Sequence, residues 1–542
     1  MERLTIAEHR GGVKQTIAPV RAWLRLVYPG MLARDMAAYR NSLVPPGGLW
    51  RAWPHLVALG VGMAALVTVL AGFAAPLAGF PEYDYLVALA GVLGAGVVVF
   101  LIFGPSWVVI SLFLIKIITG HQYRSLVLLP LSGMELAPRE LWLFLLAAHL
   151  GAKLVLGQAV IRPDLYHYFF YLYAFYFVLI AAVGVWHQPN ITEIMKEIRY
   201  PIFLGSYFVF ITCAPTRENL WFYTKLILAL TCVIALGASA FFFYTTLTGN
   251  IINEQGVFGD YVQRMIGSVL MQSVRPNGHM FYEVCAVVLL ALLWCPAVRP
   301  RWKMLYTALL ALLLFAMLIT MMRTAYIAFA CSVAVLGFLG LPRGIRWPAL
   351  FGGLVGAAAF LLFFGAEAYE FIRSEIPGLG VSLRARLEEM RGAWNLFVRH
   401  PLFGTGMGSS FTGMGWIAKK SALAYGQWDY QTLHNVWMYF LLKGGLAGFT
   451  LVLLGIGGIL GRTYMLMQWR RDVFERFFLR GLLAATAGQI VASLAMPRLT
   501  FAEGHVFLAM ATAAFFILAR EPQAGPGTDT SAALPSAIEE TQ

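Results

Sequence analysis

The stretch His400-Pro401-Leu402-Phe403-Gly404-Thr405-Gly406-Met407-Gly408 sits inside a polar segment, Glu370 to His434, that interrupts an otherwise apolar chain. The segment closes with His434-Asn435, just where a new apolar run begins. A chain dominated by lipid-compatible sequence does aqueous chemistry only where polar groups gather at a membrane face. This segment is the largest such gathering, so function is to be sought here.

Around it the chain has 542 residues, 59% hydrophobic, with a mean hydropathy of +0.71. Charged residues make up 12%, about half the soluble average of roughly 25%. That places the protein in the polytopic membrane class. In hydrocarbon every backbone polar group must be satisfied internally, so an all-α integral membrane fold is expected. At roughly 20 apolar residues per crossing, the sequence offers about twelve to fourteen transmembrane helices. The expected organisation is a basic cytoplasmic N-terminal region, 1–53, then one transmembrane domain, 54–520, then a disordered cytoplasmic tail, 521–542, rich in Ala, Pro, Ser, Thr and Gly. The apolar run near 55–77 is too long for a leader core and reads as a retained span.

Formal net charge is +13. The charges are scattered over loops, as the positive-inside rule requires, and form no basic soluble module. Nucleic-acid binding is therefore not expected. Attraction to anionic lipid or diphosphate is. The five cysteines, Cys213, Cys232, Cys285, Cys295 and Cys331, lie in or beside apolar runs, which argues against a disulfide framework or a cysteine metal site.

Spans are expected near 84–103, 139–160, 166–186, 198–215, 219–246, 281–298, 302–321, 324–341, 346–366, 434–461, 477–496 and 501–519, with 104–138 ambiguous. Arg299, Arg301 and Lys303 mark one loop as cytoplasmic; Arg343 and Arg346 mark a second; Arg462, Arg470, Arg471, Arg476 and Arg480, against Asp472 and Glu475, mark a third. Alternation then places 248–280, the Met322-Arg323 turn, 368–434 and the 497–500 turn together on the opposite, periplasmic face, with short helices in 368–434.

Several groups at that face could carry chemistry. Arg323 sits where two apolar runs turn; it is either an interfacial anchor or a planar fork aimed at phosphate. Arg275 opens the turn Arg275-Pro276-Asn277-Gly278, with Arg264 upstream. Leu383, Leu387, Met390, Trp394 and Phe397 recur at helical spacing, with Arg384, Arg386, Glu388, Glu389 and Arg391 on other faces, so 382–399 reads as an amphipathic surface helix. Glycines 404, 406 and 408 have no strand before them and are not a nucleotide loop; they read as a tight, close-packed turn. His434 opens a span. It is a structural interfacial residue or a general base, since imidazole exchanges protons near neutrality. Asn435, Arg391, Arg498 and His505 are lesser candidates.

Taken in order, Arg323-Thr324-Ala325 at a span start, the His400-to-Gly408 stretch, His434-Asn435 and the run Gly444-Gly445-Leu446-Ala447-Gly448 resemble the bacterial O-antigen ligase and polysaccharide polymerase superfamily. The resemblance covers roughly 215–500. It implies a metal-independent, inverting glycosyltransferase of the bacterial inner membrane, without a cofactor, with its active site facing the periplasm. The donor would be a glycan on undecaprenyl diphosphate. The acceptor would be a lipid A core sugar for ligation or another lipid-linked glycan for surface polysaccharide polymerisation, with polysaccharide assembly proteins as possible partners. Arg323, with Arg275 or Arg264, would bind the diphosphate, and His434 would act on the attacking hydroxyl; Arg275 is the first choice for the upstream cation. A transporter or flippase of lipid-linked glycan is the alternative, and a non-catalytic export scaffold a third reading.

Overall fold

Long apolar runs of good helix formers close their own hydrogen bonds, and the computed structural model of the chain is built from them. It describes residues 101–119 and most of 130–520; the main gaps are 120–129, 249–259, 346–378, 420–421 and 495–498. Before residue 101 only residues 94 and 96–99 are described. The expected N-terminal region, the span near 55–77, most of the span near 84–103, the span near 346–366, Arg498 and the tail lie outside the described residues. The chain divides into two compact units, Met1–Gly104 and Pro105–Gln542. The second unit holds all of the helices and hairpins that position the polar segment.

Its helices are α1 (Ser106–Thr119), α2 (Pro138–Val155), α3 (Leu165–His187), α4 (Ile191–Ile198), α5 (Ser206–Cys213), α6 (Arg217–Thr248), α7 (Met280–Leu293), α8 (Pro300–Ile319), α9 (Arg323–Gly340), α10 (Leu379–Phe397), α11 (Val436–Trp469), α12 (Val473–Ala492) and α13 (Ala502–Arg520). Three antiparallel hairpins decorate the polar stretches: β1–β2 (Pro130–Leu131, Met134–Glu135), β3–β4 (Asp260–Ile266, Val269–Arg275) and β5–β6 (Phe411–Lys419, Ala422–Tyr430). The fold is all-α, and among the described residues five helices, α3, α6, α8, α11 and α13, are long and apolar enough to cross a membrane. The helical bounds follow the apolar runs read from the sequence to within a few residues. The large polar segment holds the expected helix, α10, and also the hairpin β5–β6, which the sequence reading did not include.

Helices approach closely where glycine removes the side chain, as expected where apolar lipid supplies no hydrophobic drive between helices. A Cβ at Gly444 would sit 2.5 Å from the Tyr176 ring, and one at Gly455 would sit 2.8 Å from the Tyr173 backbone, so α11 lies tight on α3. Gly481 lets α12 approach α7 at Val288 and Ala291, and Gly488 lets it approach α9 at Ala328 and Ser332. Where α6, α7 and α8 meet, small residues (Cys232, Ala235, Cys285, Ala286, Ala316) fill a buried core with Tyr282, Leu289 and Leu313.

The two ends of this bundle differ chemically. At one end Glu475 accepts from Arg470 at 2.5 Å and pairs with Arg217 at 3.1 Å, while Asp472 caps α12 through the Glu475 N–H. The other end gathers the α7, α9, α11 and α13 N-termini, the C-termini of α8 and α12, and the His400–Gly408 stretch.

That stretch is seated in a break of α11. Gly445 has φ +60, outside helical space, so the helix hydrogen bonds from Leu446 to Leu442 and from Ala447 to Lys443 are interrupted. The loop replaces both and doubles them. Thr405 N–H donates to the Leu442 carbonyl and Gly406 N–H to the Lys443 carbonyl, each at 2.9 Å. Leu446 N–H and Ala447 N–H donate in turn to the carbonyls of Pro401 and Leu402, at 2.8 and 3.0 Å. Irregular backbone at this depth is tolerated because all four freed groups find partners within the protein. Gly406 (φ +76) has no alternative: its left-handed backbone and the Gly184 backbone against it leave no room for a Cβ. Gly406→Ala is expected to destabilise by on the order of 3 kcal/mol or more. Loss of monodisperse protein in detergent and a lowered thermal midpoint are the readout; an unchanged midpoint would contradict the seating.

Candidate active site

Glu389 is the residue around which the polar end is organised. It lies on α10 with Ala393 and Phe397 four and eight residues on, and all three are buried. Of the apolar stripe anticipated on this helix, Leu387 and Trp394 are more than half exposed, and among the described residues Phe397 alone joins the buried side with Glu389. The Glu389 carboxylate accepts twice from His434, from the backbone N–H at 2.7 Å through Oε1, and from ring Nδ1 at 2.9 Å through Oε2. An ionised carboxylate can only accept, so in the neutral imidazole the ring proton sits on Nδ1 and the lone pair on Nε2. The side chain of Glu389 is 4% exposed and that of His434 is 53% exposed. A buried carboxylate thus holds a half-open imidazole in the tautomer a general base requires.

Asn435, next in sequence, is a helix cap: its side-chain carbonyl accepts from Met438 N–H at 3.0 Å and starts α11. The first turn of α11 is also tied to α12, through Val436 N–H to the Ser493 carbonyl at 2.9 Å and Trp437 Nε1 to the Ile490 carbonyl at 3.3 Å. One turn back along α12, Gln489 donates to the buried Glu283 of α7 at 2.7 Å. Packed and hydrogen-bonded groups therefore run continuously from His434 to the first turns of α7.

Arg275 ends β4 a few residues before α7 begins. Its Nε donates to the Thr320 carbonyl at 3.3 Å, at the α8 C-terminus. Three residues later Arg323 is the first residue of α9, after a turn so tight that Met321 takes φ +49. Arg275 is thus brought to the turn that carries Arg323. The open N-terminus of α9 adds partial positive charge at the same place, an arrangement suited to an anion. Arg264 lies in β3, paired across the hairpin with Met271.

The lesser candidates fall elsewhere. Arg391 is 75% exposed and meets Glu388 only at 3.8 Å. His505 is buried in α13 with its ring edge-on to Phe177, and its ring nitrogens have no hydrogen-bond partner among the described residues. It faces the helix packing, not an open site.

Beneath the loop lies a buried network that sequence reading did not anticipate. Lys443 Nζ donates to Glu197 Oε1 at 2.8 Å and to the Ser409 carbonyl at 2.6 Å, and Tyr439 OH donates to Glu197 Oε2 at 3.3 Å. Burial pushes the Glu197 carboxyl upward from its ordinary value, and the Lys443 ammonium pulls against that shift. The network joins α4, the end of the glycine loop and the half-helix that follows His434. Lys443→Met would leave the Glu197 carboxyl buried without its cation, at a cost of about 3–5 kcal/mol. The thermal midpoint should fall sharply, and the double variant Lys443→Met/Glu197→Gln should recover part of it. A single variant as stable as the parent would contradict the pairing.

The class these features define is a multi-pass helical membrane protein with an imidazole–carboxylate pair and an arginine-bearing helix turn at one end of the bundle. Residues 308–453 match the family model described as O-Antigen ligase. The matched segment contains Arg323, Glu389, the glycine loop, His434 and the α11 break, and it supports the resemblance to the O-antigen ligase and polysaccharide polymerase superfamily. With it comes the general class of glycosyltransferase-type enzymes using lipid-linked glycan and acceptor substrates. No curated protein sequence matches the chain.

Proposed function

We propose that the protein transfers a glycan from undecaprenyl diphosphate to a sugar hydroxyl at the periplasmic face of a bacterial inner membrane, in O-antigen ligation or surface polysaccharide polymerisation. The observation that carries the reading is the Glu389–His434 pair, which engages Nδ1 and leaves Nε2 of the half-exposed neutral imidazole as its proton acceptor. His434 Nε2 takes the proton of the acceptor hydroxyl as its oxygen attacks the anomeric carbon. The bond from that carbon to the diphosphate oxygen breaks on the opposite side, with inversion, and its electron pair leaves with the diphosphate. Arg323, with Arg275 as first choice and Arg264 as second, offsets the charge that develops there; fixed cations placed where charge appears lower the barrier most. Arginines rather than a metal ion supply that compensation in this reading. The periplasmic orientation is supported by Arg299, Arg301, Lys303, Arg470, Arg471 and Arg476, which lie at the end of the bundle away from His434. The membrane domain is taken as 54–520, with 368–434 as its periplasmic segment.

The test is reconstitution of the purified protein in liposomes with an undecaprenyl-diphosphate-linked glycan and separate acceptors. Product on a lipid A core acceptor identifies ligation, and lengthened lipid-linked glycan identifies polymerisation. No product with either acceptor, from protein that remains folded, would overturn the reading.

A further inference from the structure

A cavity of about 400 Å³ lies between α6, α7, α12 and α13; its lining runs along α7 from Phe281 to Leu292 and reaches the first turns of α6 and α12 at the end of the bundle away from His434. It is within the roughly 300–1,000 Å³ range of ligand sites. Its wall is apolar. Trp221 packs edge-on to Phe474 and Phe478, with ring centroids 5.3 and 4.8 Å apart, and Ala511 and Ala514 of α13 leave the space open. One charged residue lines it. Lys225 is eight residues into the candidate membrane span α6, roughly 12 Å from its start at 1.5 Å per residue. It is exposed and has no protein partner among the described residues.

Lys225 directly precedes the uncharged apolar run 226–243, so its ammonium reaches the layer where the phosphate headgroups of a bilayer lie. Side chains on a helix tilt toward its N-terminus, which directs Lys225 toward the Arg217 end. That end is basic: Arg301 and Lys303 begin α8 one turn before the cavity residue Tyr306, and Arg476 lies in the first turn of α12. The acids there, among the described residues, include Asp164, Glu218, Asp472 and Glu475, of which Asp164 pairs with Arg462, Glu475 is engaged by Arg217 and Arg470, and Asp472 caps α12. An apolar chamber in hydrocarbon forfeits dispersion contacts unless a chain fills it. Lipid tails are as apolar as leucine, so a tail alone brings no selectivity. Selectivity must come from the headgroup, and basic pockets between membrane helices select anionic ones.

We propose that this cavity takes one acyl chain of an anionic phospholipid, whose phosphate is held by Lys225. The site is separate from the transferase reading and does not depend on it. The full-length protein, in nanodiscs of phosphatidylglycerol and phosphatidylcholine with matched chains, is released and weighed by native mass spectrometry. The expected result is one retained phosphatidylglycerol in preference to phosphatidylcholine. Lys225→Gln should reduce that preference by about fivefold, the worth of one cation near a phosphate. Ala511→Phe should lose the retained lipid of either headgroup. An unchanged preference in Lys225→Gln, or unchanged retention in a folded Ala511→Phe protein, would overturn the proposal. A third arm adds undecaprenyl phosphate at equal mole fraction: its displacement of phosphatidylglycerol would assign the cavity to a polyprenyl carrier and equally overturn it.

Discussion

Glu389→Gln is expected to lose as much turnover as His434→Ala, about 10²–10⁴-fold, the usual worth of a positioned base. The reason lies in counting donors. His434 presents two N–H groups to Glu389, one from its backbone and one from Nδ1, and the carboxylate accepts both. A glutamine amide offers one oxygen and one NH₂. If the oxygen keeps the backbone N–H, the NH₂ faces Nδ1 and forces the proton to Nε2, where the acceptor hydroxyl must be deprotonated. If the amide flips, the NH₂ faces the backbone N–H and leaves a buried donor without an acceptor. The flip carries that penalty, so the first arrangement dominates, and in it the base is lost while the side-chain volume is kept. The measurement is turnover of a lipid-linked donor in proteoliposomes, with size-exclusion behaviour confirming folded protein. Glu389→Gln retaining near-parental turnover would mean that the carboxylate only anchors α10 and does not set the tautomer.

Arg323→Ala is expected to cost about 10²–10³-fold, the usual consequence of removing one group that stabilises developing charge. Arg323→Lys should recover only part, because an ammonium is a point charge and cannot grip two phosphate oxygens with a planar fork. Arg275→Ala should cost less in turnover but should also loosen the α8–α9 turn, since its Nε holds the Thr320 carbonyl. A lowered thermal midpoint for Arg275→Ala but not for Arg323→Ala would separate the two roles. Equal turnover by the Arg323→Ala protein and its parent would remove the leaving-group assignment.

The helices were legible because the apolar runs and their Gly, Pro and charged boundaries are strong one-dimensional signals. Even the turn at Met321-Met322 followed from two runs that had to reverse between Ile319 and Arg323. His434 stood out because it opens a span. Glu389 did not, because it sits among charged neighbours that look like a solvated face; only the spacing Glu389, Ala393, Phe397, one acid followed by small and apolar residues at four-residue steps, hinted that this side is the buried one. The union of the His400–Gly408 loop with Gly445 could not be read locally at all. Both pieces are glycine-rich and separately suggest tight packing, but their four reciprocal hydrogen bonds join residues about 40 apart in sequence. Lys443 and Glu197 are farther still, and a lysine inside an apolar run reveals no partner in the sequence.

The proposed chemistry requires a diphosphate lying between the α9 turn and the imidazole of His434. The most direct measurement is an electron cryo-microscopy structure of the His434→Ala protein holding an undecaprenyl-diphosphate-linked glycan, since loss of the base should trap the donor. Phosphate density is expected against Arg323 and Arg275, with the anomeric carbon turned toward position 434. Phosphate density at the Arg217 end of the bundle, or separated from position 434 by packed helices, would refute that placement and the transfer mechanism with it.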